Sequence, residues 1–164
     1  MDFRGYLAFD SGTTLDFFHK HLERECAGEN VAKTETAHVA SVLATYAQVP
    51  VDASTFLQPF AIYSDAFEDF SYPQEYLRSP LFLAEAGAHK LFIIGCFRNQ
   101  VRHLIDIQRH GRLGQVFYRR ASMYSPRDGE KELFERVSRN FDLWTSICDR
   151  ALKGMREGRD LPRH

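Results

Sequence analysis

The chain has 164 residues, 26% of them charged, with a formal net charge of −1 and a pI near 6.7. That length fits one domain able to bury roughly two thirds of the surface its unfolded form exposes. The balanced charge excludes a global electrostatic draw towards nucleic acid or anionic membrane, so any such partner would have to use a local patch.

The opening Met1-Asp2-Phe3-Arg4-Gly5 lacks the basic-then-apolar order of a signal peptide. Residues 1–13 read as an N-terminal arm, in which 1–9 could form a short strand. Asp10-Ser11-Gly12-Thr13-Thr14 is turn-rich and predicts a cap for a helix starting near Leu15. Leu15, Phe18 and Leu22 share a face of that helix, and Gly28 supplies its stop. A second helix is predicted over 34–47, with Thr34 as cap, Glu35 in the first turn, and Val39, Val42, Leu43 and Tyr46 on one stripe. Pro50 ends it. A third, shorter helix is predicted after Asp52, carrying Phe56, Leu57, Phe60 and Ala61, and the aromatic, acidic stretch 65–78 reads as irregular or as a short turn of helix.

Ser79-Pro80 is a strong helix start, because serine caps and proline suits the first helical position. The apolar pattern that follows, over 81–104, is interrupted by Gly87 and Gly95, and an interior glycine costs about 1 kcal/mol relative to alanine. A break or a close helix crossing is therefore expected. Two readings fit equally: the helix containing Phe92 ends near Arg98-Asn99-Gln100 and Asp106 caps a new one, or one helix continues with Asp106 exposed. The apolar run 91–97 is too short to span a bilayer. Gly111 and Gly114 repeat the glycine signal; at Gly114, four residues before Tyr118, the missing side chain would admit a neighbouring backbone or an aromatic ring. Ser125-Pro126 is another start signal, and Leu133, Val137, Phe141, Trp144, Cys148, Ala151 and Met155 form the cleanest amphipathic stripe. Residues 156–164 read as a polar tail. Together these signals predict an all-α fold, a single-domain bundle of about five to seven helices spanning 1–164.

Three groups of residues carry chemical expectations. His89, Cys96, His103 and His110 recur every seven residues with Asp106 between the last two, so on one straight helix they would drift only about 20° per step. Residues seven apart lie about 10 Å apart along the axis, too far for one ion without help from another helix. His103, Asp106 and His110 are therefore the candidate metal ligands, joined by Glu35 and His38, the chain's single Glu-x-x-His pair, while His89 and Cys96 are assigned to packing. The second group is Asp10-Ser11-Gly12-Thr13-Thr14 after Tyr6-Leu7-Ala8-Phe9, which over nine residues resembles the phosphate-binding turn of sugar kinases and actin-like ATPases. Those folds need two large lobes and a second phosphate loop, whereas this chain turns at once into helix, so an ordinary helix cap is expected. The third is an arginine-bearing surface, Arg98, Arg102, Arg109, Arg112, Arg119 and Arg120, in a segment whose only acid is Asp106. Pairing with acids such as Glu68, Asp69 and Glu75 would neutralise it.

The three cysteines, Cys26, Cys96 and Cys148, are far apart with no C-x-x-C pair, which predicts a reducing, cytoplasmic setting. No Gly-x-Ser-x-Gly elbow or other nucleophile signature is present, and no cofactor is expected. The reading is a non-enzymatic helical module that binds a protein partner through the arginine surface, without a membrane partner. The alternative is a metal- or small-ligand-binding bundle, with or without enzymatic activity, and the third is nucleic-acid binding through residues 98–120. Fourteen Phe and seven Tyr leave room for a homodimer.

Overall fold

The computed structural model describes residues 11–47 and 74–156. The arm before residue 11, the helix expected after Asp52, the acids Glu68 and Asp69, and the tail beyond residue 156 lie outside these. Among the described residues all regular structure is helical: α1 (Ser11–Glu25), α2 (Lys33–Ala47), the single turn α3 (Gln74–Leu77), α4 (Pro80–Val101), α5 (Ile107–Tyr124), α6 (Asp128–Arg139) and α7 (Phe141–Arg156). They form the expected all-α bundle. The hairpin of α4 and α5 makes its most extensive contact, α6 packs along α5, and α1, α2 and α7 close the core.

Local chemistry sets most of the helix ends. Ser79 accepts from the Phe82 N–H at 3.3 Å with proline in the first turn behind it, and Asp106 accepts from the Arg109 N–H at 3.2 Å. α1 ends ahead of Gly28, whose φ of 85° is the left-handed conformation that glycine takes without strain. Four expectations are corrected. α1 begins at Ser11, and although Phe18 and Leu22 are buried, Leu15 is exposed. Thr34 lies inside the first turn of α2; the cap is made from the other direction, by Glu35 Oε2 accepting from the Ala32 N–H at 2.7 Å. Ser125 closes α5, its hydroxyl donating to the Ala121 carbonyl at 2.8 Å, and α6 starts only at Asp128. The apolar stripe of the C-terminal region is divided between α6 and α7 at Asn140, whose φ of −97° and ψ of 17° bend the chain.

α4 is the core helix. Its 22 residues are long and apolar enough to cross a membrane, more than the seven-residue apolar run alone implied, yet 72% of its most apolar window is buried inside the bundle. Three glycines bring its neighbours close. A Cβ on Gly87 would lie 2.7 Å from Tyr118 Cδ2 on α5, one on Gly95 would lie 3.0 Å from Cys148 Cβ on α7, and one on Gly114 would overlap the Phe141 ring. Each pair among α4, α5 and α7 thus meets where one helix lacks a side chain, and the crossing expected at Gly114 is present, with Phe141 as the inserted ring.

Gly114→Ala is expected to lower stability by about 1–3 kcal/mol through overpacking. Gly129→Ala, at a position with nothing within 4 Å, is expected to leave it unchanged or raise it by up to about 1 kcal/mol. Urea unfolding followed by Trp144 fluorescence checks both, and equal effects would show that the Phe141 contact is not a constraint.

Candidate functional site

The heptad of metal-type residues does not survive as one helix face. α4 departs from helical geometry at Phe97 (φ −126°, ψ 22°) and ends at Val101, and the turn that follows separates it from α5. His89 and Cys96 are buried in α4, His103 is exposed in the turn, Asp106 is the exposed cap of α5, and His110 lies one turn into that helix. His103 Nε2 accepts from Arg102 Nε at 3.4 Å. Among the described residues no three His, Cys, Asp or Glu side chains converge, so the geometry brings no ligand set together from His103, Asp106, His110, Glu35 and His38.

Each of the buried members is engaged in a helix–helix contact. Glu35, fully buried, accepts at Oε1 from Asn140 Nδ2 at 2.9 Å and Trp144 Nε1 at 3.1 Å, while Oε2 caps its own helix. One carboxylate therefore starts α2 and fastens it to the head of α7. One turn on, His38 Nε2 lies 2.9 Å from the Tyr118 hydroxyl, and burial lowers the His38 pKa to about 4. The imidazole is neutral at pH 7, and in its Nδ1–H tautomer Nε2 accepts a hydrogen bond from the Tyr118 hydroxyl.

His110 meets a group that the heptad pattern does not include. Its Nδ1 lies 3.0 Å from Nζ of Lys90, a lysine with no exposed surface whose Nζ also sits 5.8 Å from the centroid of the Phe117 ring. Burial lowers the Lys90 pKa to about 7. His110 is lowered to about 4 by burial first and then by the charges of Lys90 and Arg109. A cation at His110 would share the imidazole with this ammonium, which disfavours a metal there. The sequence does carry the signal for Lys90: it is the lone charge within the apolar run 86–97.

Of the arginines, Arg98, Arg102, Arg109, Arg112 and Arg119 are exposed and Arg120 is half-buried. Arg98 and Arg112 line a groove of about 470 Å³ between α4, α5 and α7. Ile94, Ile107 and Gly111 give it an apolar lining, and Gln108, Gln115, Asp142 and Ser146 complete the wall. Arg127, Arg136 and Arg150 each lie within 4 Å of a glutamate, whereas Arg98, Arg112 and Asp142 form no ion pair among the described residues. Asp142 and Ser146, four apart on α7, went unseen in the sequence because nothing local marks them as facing α5.

Glu35→Ala would strand the Trp144 and Asn140 donors, and an expected loss of about 2–4 kcal/mol follows from buried hydrogen bonds to a charged group. Thermal unfolding with Trp144 emission as readout checks this, with Glu35→Gln losing less. Lys90 gives a pH dependence. Its folded pKa of about 7 lies below the 10.5 of an exposed lysine, so the unfolded chain binds the extra proton between those values. Stability is then expected to fall as the pH drops from about 10 to about 7, by up to about 1.4 kcal/mol per pH unit. Lys90→Met should flatten that slope in a melting series, and an unchanged slope would refute the assignment.

In comparison with known proteins, the chain matches no family model, no curated protein and no solved structure, so what it does has to follow from these side chains.

Proposed function

We propose that this protein is a non-enzymatic helical binding module of the cytoplasm that engages an acidic region of a partner protein through the arginine-bearing face of α4 and α5. The observation that carries the reading is the groove: two exposed guanidiniums, Arg98 and Arg112, on its wall without an ion pair among the described residues. A guanidinium in that state recognises carboxylates by paired, charge-assisted hydrogen bonds. Along α5, Arg112 and Arg119 are seven residues apart and so share a stripe, which extends the cationic face by about 10 Å beyond the groove.

Two features favour a protein over nucleic acid. Asp142 stands in the groove wall, where it disfavours the unbroken line of charge of a phosphate backbone more than carboxylates spaced among neutral residues, and the chain as a whole carries a formal charge of −1. The non-enzymatic reading is supported by the location of the titratable groups that chemistry would need. Lys90 with His110, and His38 with Tyr118, are engaged between helices, and none of the four lines the groove.

The test is partner capture on immobilised protein, followed by direct binding of the purified partner to wild type and to an Arg98→Glu, Arg112→Glu double variant. Affinity is expected to fall at least tenfold in the variant and to weaken with salt in the wild type. Equal affinity for both would remove the groove arginines from the reading. Tight retention of mixed DNA and RNA oligonucleotides at low salt would replace it with nucleic-acid binding.

A further inference from the structure

We infer that the groove reads a short motif in the partner: one apolar side chain flanked by carboxylates, the apolar group seated over Gly111 and the carboxylates on Arg98 and Arg112. This rests on the arginine-face reading above and specifies the segment that face would take.

The glycines make the case. At Gly87, Gly95 and Gly114 the space of the absent side chain is taken by Tyr118, Cys148 and Phe141 of a neighbouring helix. Gly111 differs. Among the described residues a Cβ there would meet only Ile94 Cδ1, at 4.0 Å, although Gly111 itself is buried and lines the groove. The missing side chain thus opens a place in the groove beside Ile94, and no described neighbour fills it. A concave apolar surface of this kind gains from an apolar occupant, because burying an aliphatic side chain removes its surface from water.

Charge defines the flanks. Arg98 comes from α4 and Arg112 from α5, so carboxylates on either side of the apolar residue would find separate partners. Asp142, on the α7 wall, disfavours an uninterrupted run of acids and offers an acceptor for peptide N–H groups, with the Ser146 hydroxyl four residues on. The motif is therefore mixed, apolar at its centre and acidic beside it.

Fluorescence polarisation with the full chain tests this with three series of labelled decapeptides: leucine, isoleucine or phenylalanine centred among glutamates; the same with serine at the centre; and the same with glutamines as flanks. At least one apolar–acidic peptide is expected to bind, and both the serine and the glutamine replacements to weaken it about tenfold or more. Gly111→Leu, which fills the space, is expected to weaken it to a similar degree while melting no lower than wild type. Should that variant fail to fold, the peptide series decides without it. Equal binding of the serine and apolar peptides would overturn the motif while leaving the arginine face standing, since charge alone would then account for affinity. Equal binding of the glutamine and glutamate peptides would overturn the motif and the acidic-partner reading together. Absence of binding by every apolar–acidic peptide would overturn the motif, with the arginine face still judged on the purified partner.

Discussion

The spacing of α4, α5 and α7 depends on side chains that are absent. Gly87 receives the Tyr118 ring, Gly114 receives Phe141, and Gly95 lets the backbone and Cβ of α7 approach α4 near Thr145 and Cys148. Because each contact joins a different pair, the three helices are held mutually rather than in sequence. Protein interiors are packed too densely to absorb even one extra carbon without moving a neighbour. The groove between the same three helices inherits its width from those contacts, so a core constraint and a surface feature have one origin.

Polar groups are then fitted into a core already set by packing. Tyr118 fills the notch at Gly87 with its ring and meets His38 with its hydroxyl, which ties α2 to the α4–α5 pair. Glu35 ties α2 to α7 through Asn140 and Trp144, and the bend at Asn140 is what places that amide beside the carboxylate. Satisfied buried polar groups add little net stability but make the alternatives costly, because a shifted helix would leave donors without acceptors. Lys90 is the exception in kind. Its burial costs free energy at neutral pH, and His110 with the Phe117 face offsets only part of that cost.

The outer face has the opposite character. On α6 and α7, Arg136 and Lys153 lie within 4 Å of acids one turn away on their own helix. Along α5 no acid follows Asp106 before the helix ends, so no carboxylate one turn away on that helix is available to Arg112 or Arg119. The clumping of charge along the sequence thus becomes a cationic face, and the turn over residues 102–106 sets it beside Arg98 at the end of α4.

Much of the fold was legible from residues within one helical turn of each other. The Ser79-Pro80 start, the stop at Gly28 and the stripe of α2 are local hydrogen-bonding and periodicity effects that appear where the sequence places them, and the Asp106 cap is the one of two equal readings that the fold takes. The Gly114 crossing was legible as a vacancy, though not which ring would fill it. The heptad misled because a repeat of seven carries meaning only while the helix is unbroken, and five residues of turn between α4 and α5 remove the register. Glu35 finds its acceptor role with residues 105 and 109 positions away, and Lys90 finds His110 across the hairpin, so neither partnership leaves a local trace. The sequence by itself determined helical class, the start at Ser79-Pro80, the stop at Gly28 and the arginine-rich composition of α5. Only the tertiary structure decided which glycines admit a neighbour and which one opens to the groove, because that depends on the approach of helices whose contacts lie far apart in the chain.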